Sequence, residues 1–565
     1  MSMPESRDQD QGPSQRAGRL FWPLLLFIGL VGLAIRLYVG QHESMSYDEW
    51  QHVFMASAPR MQDLLFEIGV NAHPLFFFLL LRGLLRLGHG ILLYRSISIL
   101  TGVASILLTG LICRKTLRSP LLQLLCAAAF ALSGTAIWVS TQARSYELAV
   151  SLVLLAFLSY LDMIPDPGKP VRLRAYVTFA IASSLAVWSL YSAVFFLGAC
   201  LAAPVLLAVV GGGFRRRLIS GLDKRSIWLS VLSLALPCAV FAAHIAHIRA
   251  QPIQGALYEF YWGMTPNDTL SAFLLRNSRN VLNFFSPMEL GSTGAFLVTT
   301  ILLGAAGLGI LWKASRTKPG LKAASVVPVA FAAVIVLEFL AASLARAYPF
   351  GGMMRYQYIA APFLLLAAFV FLDALDAIAG RVTRRGIPIF LGATIIVNPA
   401  YNWHKLIEFP DTVILSNEFA DYSTAFPHAR AVYVDSYTVW GYFAHTDDGR
   451  RRFVRRISGP GWIDQYRIWG GAHDGTTIFY DKTPFRLNFS DSSRYESIAA
   501  CLRQSGVEEI VLFWFSPGHE PLDQDTAALK KLIGEEAAAQ GLAATKVFVG
   551  ETTVFAGFRL ADAVR

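Results

Sequence analysis

Long apolar runs separated by short polar connections dominate the first 400 residues. Residues 20–40 are almost wholly apolar and about 30 Å long as a helix, enough to cross a hydrocarbon core. Further runs follow at 91–112, 120–141, 146–163, 174–190, 191–210, 226–247, 292–312, 324–344, 356–374 and 387–400. Residues 74–90 (PLFFFLLLRGLLRLGHG) are apolar too, but Arg82 and Arg86 interrupt them one helical turn apart. Beyond residue 400 apolar runs shorten and Asp, Gly and Ser become frequent. There Val432–Val434, Ile510–Phe515, Lys546–Val549 and Val554–Phe558 predict strands, and 493–505 and 523–540 predict helices. The pattern divides the chain into a polar tail (1–19), a membrane domain (20–400) and a small α/β domain (401–565).

Composition agrees. With 54% apolar and 16% charged residues, the chain lies well below the roughly 25% charge of soluble domains. Residues 1–400 hold 32 Lys and Arg against 18 Asp and Glu, and residues 401–565 hold 17 against 21. The basic excess thus belongs to membrane loops and gives no support to nucleic-acid binding. Five cysteines show neither metal-type spacing nor a disulfide framework.

The basic loops also orient the chain. Clusters at Arg114–Arg118, Lys169–Arg174, Arg215–Arg225, Lys313–Lys322 and Arg381–Arg385 all face the cytoplasm only if segment 74–90 does not cross. That segment is therefore read as an interfacial or re-entrant helix, leaving eleven crossings, a cytoplasmic N-terminus and an extracytoplasmic C-terminal domain. Every lysine before residue 400 then falls on the cytoplasmic side. The outward connections and helix ends carry arginines alone: Arg60, Arg82, Arg86, Arg95, Arg144, Arg249, Arg276, Arg279, Arg346 and Arg355. A guanidinium fork suits phosphate and carboxylate, and snorkelling to lipid headgroups is the competing explanation. Within the clean crossings, Glu338 is the one ionisable residue expected. Arg450–Arg452 and Arg455–Arg456 are read as a solvated charge run.

Candidate chemistry gathers at the outer face. Tyr47-Asp48-Glu49 follows the first crossing, within loop 41–72. Asn71-Ala72-His73-Pro74-Leu75 precedes the interfacial segment, Gln142-Ala143-Arg144-Ser145-Tyr146-Glu147 lies between crossings three and four, and Met354-Arg355-Tyr356-Gln357 opens the tenth. Asp48 and Glu49 read either as catalytic carboxylates at a membrane surface or as caps of a loop helix. Asp48, Glu49, His52 and His73 offer oxygen and nitrogen ligands to a divalent metal ion, at a spacing that identifies none.

In this order and sidedness the four stretches resemble the GT-C superfamily of membrane glycosyltransferases. The likeness is to bacterial relatives of protein O-mannosyltransferases and of the lipid A aminoarabinose transferase, over residues 20–375. The resemblance implies a polyprenyl-phosphate-linked sugar as donor, reached from the bilayer, and transfer outside the cytoplasm. It matches Asp48, with Glu49 beside it, to the acidic residue that acts on the acceptor as base or through a metal. It matches His73-Pro74 to a His-Pro-Pro element whose second proline is Leu75 here, and Arg144, Tyr146, Arg355 and Tyr356 to Arg-Tyr elements on the substrate side. Arg82 and Arg86 are candidates for donor phosphate or lipid headgroups. The implied acceptor is a lipid, glycan or protein of the bacterial envelope, and the implied location is the inner membrane. Competing functions are a secondary transporter, which would show repeats and mid-membrane charges, and a lipid-linked polysaccharide ligase.

Overall fold

The structure is a computed structural model. It describes residues 13–164, 172–210, 223–249, 268–283, 323–378, 424–435, 452–456, 467–470, 477–481, 489–515 and 525–560, apart from a few positions inside these ranges. The chain forms two compact units. One comprises Met1–His42, Ile68–Leu80 and Arg95–Ile407; the other comprises Glu43–Glu67, Leu81–Tyr94 and Glu408–Arg565. Residues 43–67 and 81–94 thus group with the C-terminal domain, a partition that the apolar pattern alone does not show.

The helices are α1 (Pro13–His42), α2 (Tyr47–Ala56), α3 (Met61–Val70), α4 (Leu75–Leu85), α5 (Ile91–Thr116), α6 (Pro120–Leu132), α7 (Gly134–Ser140), α8 (Tyr146–Met163), α9 (Leu173–Ser189) and α10 (Val194–Val210). They continue with α11 (Lys224–Arg249), α12 (Leu270–Asn283), α13 (Ala323–Leu344) and α14 (Ala361–Ile378). Among the described residues, seven helices are long and apolar enough to cross a membrane, or eight if α6 and α7 are one span. The chain is an integral membrane protein. Predicted runs 292–312 and 387–400 lie outside the described residues, and all the other runs are helical. α4 has 11 residues and is about 16 Å long, roughly half a hydrocarbon core.

Run 120–141 is not one straight crossing. The chain bends by 56° between α6 and α7. Ser133 at the break is extended (φ −62°, ψ 123°), so it ends α6, and its hydroxyl accepts from the Ala136 N–H to start α7. α12 carries too many polar residues to stand out as an apolar run, and the sequence reading passes over it.

Rings from several helices interlock in the core of the first unit. Phe157 meets Phe331 at 4.8 Å and Phe363 at 5.0 Å, and Phe196 meets Phe331 at 5.8 Å. α1 and α5 approach closely because Gly110 has no side chain: a Cβ there would lie 2.5 Å from Leu25. At the end that carries the basic connections, the helices are cross-linked. Asp373 of α14 accepts from the Arg118 N–H (3.1 Å), Arg118 Nε (3.2 Å) and the Ser119 N–H (3.0 Å). Lys115 pairs with Asp162 at 2.5 Å, and Ser325 donates to the Thr116 carbonyl.

The second unit contains a seven-stranded mixed sheet in the order β2-β3-β4-β1-β5-β7-β6. The strands are β1 (Ala431–Asp435), β2 (Arg452–Arg456), β3 (Arg467–Gly470), β4 (Thr477–Asp481), β5 (Ile510–Phe515), β6 (Leu542–Val549) and β7 (Thr553–Leu560). β1 runs parallel to β4 and β5, and the remaining pairs are antiparallel. Two helices, α15 (Ser492–Ser505) and α16 (Thr526–Ala539), contribute to its core: Tyr495 meets Phe558, and Phe489 meets Trp514. Of the arginines read as a solvated charge run, Arg450 and Arg451 lie outside the described residues, and Arg452, Arg455 and Arg456 lie on the edge strand β2. Charge at a sheet edge blocks further pairing, and the same charge hides the strand from a search for apolar alternation.

Candidate functional site

α2 carries the acidic pair in its first turn, where carboxylates complement the helix dipole. Asp48 is half-buried and Glu49 is 1% exposed. His52, also buried, lies one turn on and places Nδ1 2.7 Å from the Asp48 carbonyl. A carbonyl only accepts, so Nδ1 carries the proton, and in the neutral ring Nε2 holds the lone pair. At the other end of α2, Arg82 donates to the carbonyls of Ala56 (3.4 Å) and Ala58. Cation and helix C-terminus suit each other, so Arg82 steadies the helix that bears Asp48. Arg86 is exposed.

The metal candidates do not assemble. Among the described residues, no group of three or more His, Cys, Asp or Glu side chains could hold a metal ion. Asp48, Glu49 and His52 lie on one helix and do not form such a group. In the first unit, His73 is half-buried beside the Phe78 ring at 5.7 Å, and its N–H donates to the Ile68 carbonyl. Pro74, buried, then opens α4, whose Phe76 stacks on Trp188 at 5.5 Å.

The structure does bring together Arg144, Tyr146, Arg355 and Tyr356. Arg144 lies over the Tyr146 ring at 5.1 Å, and Arg355 over the Tyr356 ring at 5.5 Å. Tyr348 joins the two pairs. Its ring meets Tyr356 edge-on at 6.3 Å, its hydroxyl donates to the Tyr356 carbonyl at 3.5 Å, and it faces Tyr146 and Ser192. Burial pushes the Tyr348 phenol well above its ordinary pKa, so it stays a neutral donor. The turn from Thr141 to Tyr146 is buried throughout, and Ser98 donates to the Arg144 carbonyl at 3.0 Å. Gln357 likewise pins the second turn by donating to the Pro349 carbonyl at 2.7 Å. Two of the other arginines expected to face outward have partners: Arg95 donates to the Gly40 carbonyl, and Arg276 forks onto Asp268 with both contacts at 3.0 Å.

A buried polar network adjoins this cluster, and the sequence reading missed it. Glu338 is not the one ionisable residue within the crossings. Arg36 in α1 and Glu147 in α8 are both 0% exposed. Arg36 donates to Ser140 Oγ (2.7 Å) and to the carbonyls of Gly32 (3.1 Å) and Ala131 (3.0 Å). Tyr358 donates to Glu147 Oε2 at 2.7 Å, and Arg36 and Glu147 attract each other electrostatically. The signal was present as one arginine inside an apolar run and one glutamate closing a motif.

No family model and no curated protein matches the sequence. Solved structures do. The chain resembles ArnT from Cupriavidus metallidurans in the apo state, with a TM-score of 0.50, 12% identity, and coverage of 97% of this chain and 98% of that one. For the same protein bound to undecaprenyl phosphate, the TM-score is 0.50 at 12% identity, covering 95% and 97%. The chain has the GT-C membrane fold. The apo oligosaccharyltransferase from Archaeoglobus fulgidus is a more distant match, with a TM-score of 0.46, 12% identity, and coverage of 87% and 69%. The GT-C likeness runs well past residue 375, where the motifs end. Covering 97% of the chain, it takes in the C-terminal sheet domain as well.

Proposed function

We propose that this protein transfers a sugar from a polyprenyl-phosphate-linked donor to a lipid, glycan or protein acceptor at the outer face of a bacterial inner membrane. The observation that carries this reading is the cluster of Arg144 and Arg355 on tyrosines around Tyr348. It lies near the start of α5, at the opposite end of that helix from Arg118. Two guanidinium groups fixed by stacking suit a lipid phosphate, whose charge grows as the glycosidic bond breaks. The solved ArnT complex with undecaprenyl phosphate supports that donor class.

The reaction is a direct displacement. The acceptor oxygen forms a bond to the anomeric carbon, the bond from that carbon to the phosphate oxygen breaks, and the configuration inverts. The electron pair leaves with the phosphate, toward Arg144 and Arg355, and the acceptor proton passes to the Asp48 carboxylate, contributing about 10²–10⁴-fold. Glu49, buried beside Asp48, supports α2. A transporter would line a path with ionisable groups, whereas Arg36 and Glu147 are tied into packed neighbours.

Mass spectrometry of envelope glycans from a deletion strain identifies the missing sugar, and complementation tests the site. Asp48→Asn keeps the shape and capping ability of the side chain but cannot take a proton. It is expected to express and fold normally and to restore almost none of that sugar. Restoration at the wild-type level overturns the base assignment.

A further inference from the structure

Arg144 and Arg355 sit on separate turns, 211 residues apart, yet each turn carries a buried partner three positions downstream: Glu147 after Arg144 and Tyr358 after Arg355. These two partners are bonded to each other at 2.7 Å. We infer that the Glu147–Tyr358 hydrogen bond, with Arg36 as its counter-charge, is a strut that sets the spacing between Arg144 and Arg355 for a lipid phosphate. Glu147 and Tyr358 are positioning residues, and the inference rests on the donor reading above.

The geometry supports a spacing role more than a generic packing one. Glu147 opens α8 and Tyr358 lies in the 3-10 turn that leads into α14, so the bond joins the starts of two helices. Both groups are buried, where a carboxylate without compensation is costly. The chain meets that cost with the Ser105 and Tyr358 hydroxyls and with Arg36, which reaches in from α1 and is itself held by Ser140, Gly32 and Ala131. Room for the guanidinium comes from Gly102 on α5, where a Cβ would stand 2.9 Å from Arg36 Nε and 2.7 Å from Ser140 Cβ. Four elements therefore converge on one acid whose hydroxyl partner stands three residues from Arg355. Plain packing of the same helices needs no charge at all.

The test is a double-mutant cycle on the affinity of the purified full-length protein for undecaprenyl phosphate, measured in nanodiscs. Tyr358→Phe removes only the donor O–H, and Arg355→Lys removes the fork. Each single variant is expected to lose about tenfold in affinity. The double variant is expected to lose little more than either, because a mispositioned Arg355 has less left to lose. Thermal melting of each variant reports folding. If Tyr358→Phe fails to fold, Glu147→Gln tests the bond outside the cycle, since its amide oxygen still accepts from Tyr358. That variant is expected to stay within about threefold of wild type if the hydrogen bond sets the spacing, and a tenfold loss overturns the role of the bond. If Arg355→Lys loses affinity and the effects of Tyr358→Phe and Arg355→Lys multiply, the strut is overturned and the donor reading stands. If Arg355→Lys binds as wild type does, the donor reading falls, and the strut with it.

Discussion

The two ends of the membrane unit handle cations differently. At the end carrying the basic connections, Arg118 and Lys115 meet carboxylates: Asp373 takes two backbone N–H groups and the Arg118 guanidinium together, and Asp162 takes Lys115. At the other end, Arg144 and Arg355 lie against tyrosine rings, and the buried acid nearby, Glu147, is engaged by Tyr358. An acid partner satisfies a cation and locks a fold. A ring fixes the plane of a guanidinium, and with it the directions in which its N–H groups point. On the proposed function, the first end serves stability and the second recognition of the donor phosphate.

The largest effect that sharpens this contrast is expected at Asp373. Asp373→Ala strands two N–H groups and a guanidinium, and should cost about 3 kcal/mol of stability. Thermal melting should fall steeply while undecaprenyl phosphate affinity per folded molecule stays unchanged. A parallel loss of affinity would break the division between the ends. Next comes Arg144→Lys, which keeps the charge and loses the planar fork. About a tenfold loss of affinity is expected, roughly 1.4 kcal/mol, with melting unchanged. A fall in melting with normal affinity would make Arg144 a structural group like Arg118. The smallest effect belongs to Lys115→Met. Its pair with Asp162 is about one-third exposed on both sides, so stability should move by no more than about 0.5 kcal/mol.

Much of this organisation was legible in the sequence, and the misses share causes. Apolar runs report helices because lipid demands internal hydrogen bonding, so α5, α8, α11, α13 and α14 could be placed within a few residues. The motifs that resemble GT-C proteins named Arg144, Tyr146, Arg355 and Tyr356, which the fold does assemble. Tyr348, the residue that joins them, was invisible because it belongs to no motif and its role is purely spatial. Arg36 was hidden by averaging, since a single cation barely lowers the hydropathy of a long run. The break at Ser133 escaped notice because apolar composition is blind to a capping hydroxyl. Strands β2 and β3 escaped because arginine and glycine mask the two-residue period that marks strands.

Arg36 also bears on how the chain is made. α1 enters the membrane before α6 and α7, and Arg36 finds Ala131 and Ser140 only 95 and 104 residues later in the sequence. At about 5–20 residues per second, ribosomal synthesis leaves this arginine in or beside the bilayer for roughly 5–20 s before its partners exist. Its place near the C-terminal end of α1 allows it to snorkel to the headgroups in the meantime. α1 is thus inserted provisionally, and it settles only when α6 and α7 arrive to take the charge inward.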